Sequence, residues 1–472
     1  MAAGTGSRPT GRRAVVVGGS FAGMLAAAAL ASSVDEVTVV ERYALPDGPD
    51  PRQGVPQGRH AHLLWSGGAR AAEELLPGLT ARLLGAGARR IAVPADLLML
   101  TSGGWLTRFP EHQFFLSCSR DLLDWVVRDM TAALPSVRTL PGTSALGLRG
   151  TRTRVTGVVV GDPDGGEREL AADLVVDASG RSSAAPKWLE ALGLPRVRTQ
   201  IVDSGLGYAS RIFRAPAGTD GFPAVNIQAD PRRRVPGLNG TILPNEGGRW
   251  IVTLSGTRGG QPTADAGAFE AFARGLRHPV IGELIALAEP LTDVAVTHST
   301  VNQRRLYEKM AVWPEGLVVI GDALASYNPL YGQGMSVAAH HARALRRHVR
   351  GQPGAGLGRR VQHAAAAAVT AAWALSSGQD LRYPEVKGEP PGPAAAVMNR
   401  YTDRLMRTAT LRHTVACALF DVMSLSSSQN TLVRPDVMAS ALSPFRTAPA
   451  PNPPFTAAEL AALPGPRKPD EE

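Results

Sequence analysis

Two glycine-rich stretches, some 300 residues apart, carry the residue types that could hold a dinucleotide. Gly18-Gly19-Ser20-Phe21-Ala22-Gly23 follows the apolar run Ala14-Val15-Val16-Val17 and opens a small-residue helix over residues 24–30. The next apolar run, Val37-Thr38-Val39-Val40, ends at Glu41, 23 residues after Gly18. In a strand–turn–helix–strand of this spacing, the first helical N–H groups carry a pyrophosphate and the closing carboxylate takes the ribose hydroxyls. Ser20 stands where the usual pattern has its middle glycine, and its hydroxyl can still face a phosphate. A bare strand–turn–helix would share this outline, but the second stretch tells against it. Gly321-Asp322-Ala323 ends an apolar run at 317–320, and Tyr327-Asn328-Pro329-Leu330-Tyr331-Gly332-Gln333-Gly334-Met335 leads into a helix over 336–349. An Asp at such a strand end can bind a ribityl hydroxyl. The N–H groups of 332–335, at a helix N-terminus, would stabilise a negative isoalloxazine.

The elements that must position these residues are legible in outline. Residues 13–41 form one βαβ unit, whose parallel strands need the crossover helix. A Gly/His-rich loop at 54–64 leads into an Ala-rich helix over 67–84. Ser119 is placed to cap a helix over 119–134, and strands are expected at 155–160 and 173–177. From about 195 to 300, short β-like runs (224–228, 250–255, 294–298) alternate with Gly/Pro/Asn turns, which predicts a separate sheet. Beyond 350 the chain reads as helical to 442, broken by a Pro-rich loop at 383–393. The Pro-rich segment from 444 reads as an extended or disordered tail, and residues 1–11 as a loose leader. Gly354-Ala355-Gly356-Leu357-Gly358 lacks a preceding strand and reads as a linker, so a second, resident NAD(P)H domain is not expected.

Composition narrows the classes. The 472 residues are 44% hydrophobic and 19% charged, enough to bury a sizeable core. Two cysteines, Cys118 and Cys417, exclude a disulfide scaffold and a Cys-rich metal centre. The net charge of +9 comes from 50 Lys+Arg against 41 Asp+Glu. The basic residues are scattered and aromatics are only 5%, so nucleic-acid binding is not expected. No apolar stretch reaches membrane-spanning length. Arg12-Arg13 before an apolar run has the shape of a twin-arginine export signal. Because the run is broken by Gly18-Gly19-Ser20 and feeds into a second strand, the segment reads as folded protein, and a cytoplasmic location is expected.

Taken together, the two stretches resemble those of the single-component FAD-dependent monooxygenases, the superfamily of flavin hydroxylases and epoxidases, over residues 12–350. Asp173-Leu174-Val175-Val176-Asp177-Ala178-Ser179-Gly180-Arg181-Ser182 is similar to the superfamily's Asp-Gly segment near the FAD pyrophosphate, with Ala178 in place of the usual Gly. The resemblance implies an α/β fold. A Rossmann-type FAD-binding domain (12–85, 116–190 and 301–350) carries an inserted β-sheet substrate domain (86–115 and 191–300). A C-terminal helical region (351–443) and a Pro-rich tail (444–472) follow. It implies FAD contacts from Gly18, Gly19, Ser20, Phe21, Ala22, Gly23, Glu41, Asp322, Pro329, Gly332, Gly334 and Met335. Arg120 matches the superfamily's FAD-contacting Arg, and Arg42 would lie near the adenosine; surface ion pairing is the alternative for both.

A narrower resemblance comes from Val55-Pro56-Gln57-Gly58-Arg59-His60-Ala61-His62, from 328–335 and from Gly378-Gln379-Asp380-Leu381-Arg382-Tyr383-Pro384. Together these are similar to the flavin epoxidases of polyether ionophore biosynthesis, the monensin and lasalocid type. Arg59 and His60 are then expected near the flavin. With no Cys or acidic cluster at ligand spacing, His60 and His62 are not expected to bind metal. The implied reaction epoxidises a linear apolar polyene polyketide, free or carrier-bound, using molecular oxygen and a flavin C4a-hydroperoxide. NAD(P)H or a separate flavin or ferredoxin reductase would supply the electrons. An alkene attacks electrophilic oxygen directly, so no acid or base need be present, and none is assigned. The alternatives are an aromatic hydroxylase on the same scaffold, an FAD-dependent prenyl reductase, and a binding protein that has lost its flavin. A flavin halogenase is disfavoured because no Trp-x-Trp-x-Ile-Pro segment occurs.

Overall fold

The computed structural model describes residues 11–464, apart from Ser299, Gln352, Pro353, Pro391 and Arg446. The leader at 1–10 and the last eight residues of the tail lie outside the described residues.

The valine-rich run Arg13–Val17 is the middle strand of a five-stranded sheet. Leu174–Asp177 and then Leu317–Val319 lie on one side of it, Glu36–Val40 and Val137–Leu140 on the other, all parallel. Nearly continuous burial along these strands is what a parallel sheet covered on both faces requires. The first crossover helix, Phe21–Leu30, is built of Ala, Gly, Leu, Met and Phe because it is enclosed nearly all round, between the sheet and the helix Gly334–Gly351. A Cβ on Gly23 would lie 1.7 Å from the Gly18 carbonyl oxygen, so only glycine lets helix and turn approach this closely. On the sheet's edge strand, Gln362 of the helix Leu357–Asp380 accepts from the Val319 N–H and donates to the Val319 C=O. That contact satisfies backbone groups an edge strand leaves open.

The region from 195 to 300 forms most of an eight-stranded sheet, with Gly207–Arg214, Arg249–Gly256, Leu238–Asn245 and Ala224–Ile227 as its antiparallel centre. Two helices, Ala266–Arg274 and Val280–Ile285, cover one face. Of residues 86–115, Leu97–Thr101 and Gly104–Trp105 extend this sheet, whereas Arg89–Val93 pairs with Gln113–Ser117 in a separate sheet shared with Leu63–Trp65. Asn302–Arg305 pairs with Thr199–Val202, tying the two regions together.

Two local expectations are corrected. The helix read over 67–84 is two helices, Ser66–Leu75 and Leu79–Gly85. Pro77 and Gly78, the latter at φ +89°, stop the first. The described part of the tail is not free: Phe455 packs 5.9 Å from Phe222, and Glu459 accepts from Arg108 at 2.6 and 2.7 Å. Thr456 and Glu459 form a capping box that starts the helix Ala457–Ala462. None of the described helices is long and apolar enough to cross a membrane.

Candidate active site

At the turn between the first strand and helix, Gly18 takes φ +102°, and a Cβ there would meet the Ala178 oxygen at 2.7 Å. The Asp173–Ser182 segment therefore lies directly against the turn. Glu41, 6% exposed, accepts from the Gly19 N–H at 2.7 Å and from the Tyr43 N–H at 3.1 Å. The Ser20 hydroxyl donates to Asp124 at 3.1 Å and accepts from Arg120 Nη2 at 2.8 Å; Arg120 Nε donates to Asp124 at 2.9 Å. Arg120 is thus brought to the helix N-terminus, with Asp124 one turn further along its own helix, Arg120–Ala132. Ser119 caps that helix, accepting from the Leu122 N–H. Arg42 is exposed at the end of its strand, and Arg59 is exposed on the turn Pro56–Arg59.

Two side chains here escaped the sequence reading. Arg52, buried on a loop, pairs with Glu41 at 2.9 Å and donates to the Gly19 carbonyl at 3.0 Å. Nothing in its local sequence marks it. Asp124 could have been found from its (i, i+4) spacing to Arg120.

The second stretch reaches the same end of the sheet. Gly321 takes φ +60°, and its Cβ would come within 3.0 Å of the Ala22 Cβ, so the two stretches touch. The Gly321 N–H donates to His341 Nδ1, whose ring bridges on to the Ala365 carbonyl; burial holds this histidine neutral, at about 3. Asp322 makes no hydrogen bond to any described residue. Burial raises its carboxyl, and the Arg181, Arg120 and Arg305 charges oppose that rise. A Cβ on Gly334 would lie 3.9 Å from Asp322 Oδ1. An uncommitted carboxylate therefore sits beside the first N–H groups of the helix Gly334–Gly351. Asn328 starts the loop before this helix by accepting from the Leu330 N–H, and Gly332 takes φ +61° where a side chain would strike Leu63.

Pro329 and Gly332 also line a cavity of about 890 Å³ between this loop and the eight-stranded sheet. A second lobe of about 700 Å³ continues toward the C-terminal helices, sharing Met99, Gln228, Asn239, Leu330, Tyr331 and Met423 with the first. No Asp, Glu, Lys or Arg among the described residues lines either lobe. His60 is on the wall of the first lobe, which Pro329 and Gly332 also line. Its ring nitrogens meet the Ser210 hydroxyl at 2.8 Å and the Thr297 hydroxyl at 3.0 Å. Burial holds it down at about 3, so it is neutral near pH 7. His62 is likewise held to about 4 by burial. Among the described residues, no group of three or more His, Cys, Asp or Glu could hold a metal ion.

Comparison with known proteins decides the family. Residues 14–187 match the model of the FAD dependent oxidoreductases. The chain is 31% identical over 344 residues to a protein named kynurenine 3-monooxygenase from Salinispora arenicola, covering 69% of this chain and 70% of that one. The chain belongs to the FAD-dependent monooxygenases. A further relative of this flavoprotein, Protein Rv3254 of Mycobacterium tuberculosis, is 32% identical over 391 residues, covering 80% of this chain and 82% of that one. Among solved structures, the flavin-dependent brominase Bmp2 shares the fold, with a TM-score of 0.62 at 14% identity, over 87% of this chain and 92% of that one.

The residues of the monooxygenase fit FAD. Ser20 puts no side-chain cap on the helix Phe21–Leu30, whose first N–H groups lie beside Arg120; Asp322, partly exposed, has no hydrogen-bond partner among the described residues, and Gly334 leaves open space beside it. Pyrophosphate, ribityl chain and isoalloxazine have, in that order, donors, an acceptor and a second helix N-terminus.

Proposed function

We propose that this flavoprotein epoxidises olefins of a linear, neutral polyene polyketide of the kind that leads to polyether antibiotics. The observation that carries the reading is the two-lobed cavity beside the 329–332 loop, lined by apolar side chains with hydroxyl, amide and neutral His60 groups among them, and free of Asp, Glu, Lys and Arg among the described residues. An elongated chain can lie along both lobes while one of its double bonds rests at the loop.

Gly18, Gly19, Ser20, Phe21, Ala22, Gly23, Glu41 and Arg120 would hold the adenine dinucleotide half of FAD, with Arg42 and Arg59 at its rim. Asp322, Pro329, Gly332, Gly334 and Met335 would hold the flavin half. Reduced FAD supplies activated oxygen from O2; a reduced nicotinamide or a partner reductase provides the electrons. The protein's part is to bind the chain, align one olefin and exclude water. His60, with both ring nitrogens engaged by hydroxyls, shapes the wall rather than moving a proton.

The second reading is aromatic hydroxylation, favoured by the relatives named kynurenine 3-monooxygenase. Kynurenine carries a carboxylate and an ammonium group. A cavity without a cation or anion leaves both desolvated and unpaired, which costs several kcal/mol. A phenol also needs a base, and His60 is a poor one when held near 3.

The test supplies FAD, reductant and 18O2 with trisubstituted alkenes of increasing length, and in parallel with kynurenine and simple phenols. Labelled oxiranes are expected, with kcat/KM rising about fourfold per methylene, at about 0.8 kcal/mol for each one buried. Ring-hydroxylated product with untouched alkenes would replace this reading by the second. Saturated, unlabelled product would make the protein a reductase.

A further inference from the structure

One buried carboxylate lies outside the site described so far. Asp380 is the last residue of the helix Leu357–Asp380, where the helix dipole disfavours a negative charge, and it is 1% exposed. Its Oδ2 accepts three hydrogen bonds, from Ser204 Oγ at 2.9 Å, Asn302 Nδ2 at 2.7 Å and Asn328 Nδ2 at 2.7 Å. Its Oδ1 has no partner at all. No cation pays for the burial: the neighbouring Arg382 is bound to Asp403 at 2.7 and 2.8 Å. The three donors come from the substrate sheet's approach, from the strand Asn302–Arg305, and from the first residue of the loop beside Asp322.

These donors are themselves chained. Asn302, fully buried, uses its Oδ1 to accept from the Asn328 N–H at 2.8 Å and from Ser376 Oγ at 2.7 Å. Asn328 uses its Oδ1 to accept from the Leu330 N–H at 3.3 Å. Both amides of Asn302 and Asn328 are therefore oriented with N–H toward Asp380 and oxygen toward the loop backbone. A carboxylate imposes that orientation because it can only accept. Reversing either amide would set two acceptors face to face.

We propose that Asp380 is a positioning residue, which through Asn302 and Asn328 holds the 328–332 loop in the conformation that faces flavin and substrate. The flavin part of this statement rests on the reading of the loop given above. A carboxylate with one oxygen empty and no counter-ion costs stability, and a purely structural link would be as well served by a neutral amide. Its charge strengthens three hydrogen bonds that converge on one loop.

The test compares Asp380→Ala and Asp380→Asn with the wild-type chain. Amide hydrogen exchange is read by peptide in the FAD-free protein. Asp380→Ala is expected to raise exchange over 328–335 about tenfold, the scale of losing a charge-assisted anchor, with the helix Phe21–Leu30 unchanged. Asp380→Asn keeps an acceptor for the amides without the charge. It should give a smaller rise and melt no lower than wild type at pH 7. In the FAD-loaded protein, Asp380→Ala should change the shape of the flavin absorption bands and weaken FAD about tenfold, and Asp380→Asn should restore part of both. Unchanged exchange at 328–335, or an increase spread evenly along the chain, overturns the proposal. A loosened loop with flavin spectrum and affinity unmoved upholds the anchoring and overturns the placement of flavin at this loop.

Discussion

At the scale of single residues, the uncommitted groups are the informative ones. Asp322 has no protein partner although burial raises its carboxyl, so its hydrogen-bonding capacity is available to a ligand. Asp322→Ala should weaken FAD by about ten- to 150-fold, the equivalent of about 1.5–3 kcal/mol for a charged hydrogen bond. Fluorescence titration of the apoprotein measures it, and the apoprotein itself should melt no lower than wild type. Asp380 makes a pH-dependent prediction. Burial pushes its carboxyl from 3.8 up to about 6, against three hydrogen bonds that pull the other way. The groups around it are the Asp203 carboxylate, which raises it further, Arg382, and the Tyr331 and Tyr383 hydroxyls, both held neutral by burial. A folded value above the unfolded one means that the group's favourable contribution is complete below about pH 4 and is lost as pH rises through about 6. Asp380→Asn should therefore match wild type in unfolding free energy near pH 4 and exceed it at pH 8 by up to about 3 kcal/mol, with a correspondingly higher melting temperature. Parallel pH-dependent melts of the two chains decide it.

At the scale of elements, the contact between turn and helix is the tightest constraint. A Cβ on Gly23 would overlap the Gly18 carbonyl oxygen at 1.7 Å, and both partners are backbone. Gly23→Ala must push the helix Phe21–Leu30 off its strand, in a core where nine of the helix's ten residues are buried. The expected loss is about 3 kcal/mol or more, the upper end for overpacking, together with loss of FAD. Urea unfolding and flavin content of the purified protein read the two effects. Gly334 is the contrast. It meets nothing nearer than Asp322 Oδ1 at 3.9 Å, so an alanine there tests ligand space rather than packing.

At the scale of the whole molecule, the cavity is assembled from four regions distant in sequence: the 60–65 segment, the eight-stranded sheet, the 329–332 loop and the C-terminal helices. Met99, on the strand Leu97–Thr101 and 3% exposed, lies at the junction of the lobes. Met99→Phe should narrow the passage and shorten the longest chain accepted. Kcat/KM for a long alkene is expected to fall about tenfold, corresponding to about two methylenes left outside, while short alkenes keep their rates. A length series run on both proteins shows whether the two lobes serve one ligand.

Residue type and spacing alone determined the βαβ unit, because a valine run, a glycine turn and a closing acid at 23 residues admit few other arrangements. They also determined the Ser119 cap and the strand-to-helix loop around Asp322, since caps and turns are local chemistry. The separate sheet was legible as texture, but its register and the small sheet joining Leu63–Trp65 to Gln113–Ser117 were not, because strand pairing is a long-range choice. Arg52 beside Glu41 depended on a loop path that no local pattern encodes. His60 read as a flavin-side residue; that its ring meets Ser210 and Thr297 on the wall of the cavity that Pro329 and Gly332 share came only from the tertiary structure. Asp380 was visible only as part of a motif. That it bonds residues 52, 78 and 176 positions away is decided by where the last long helix ends against the loop, and only tertiary packing sets that meeting point.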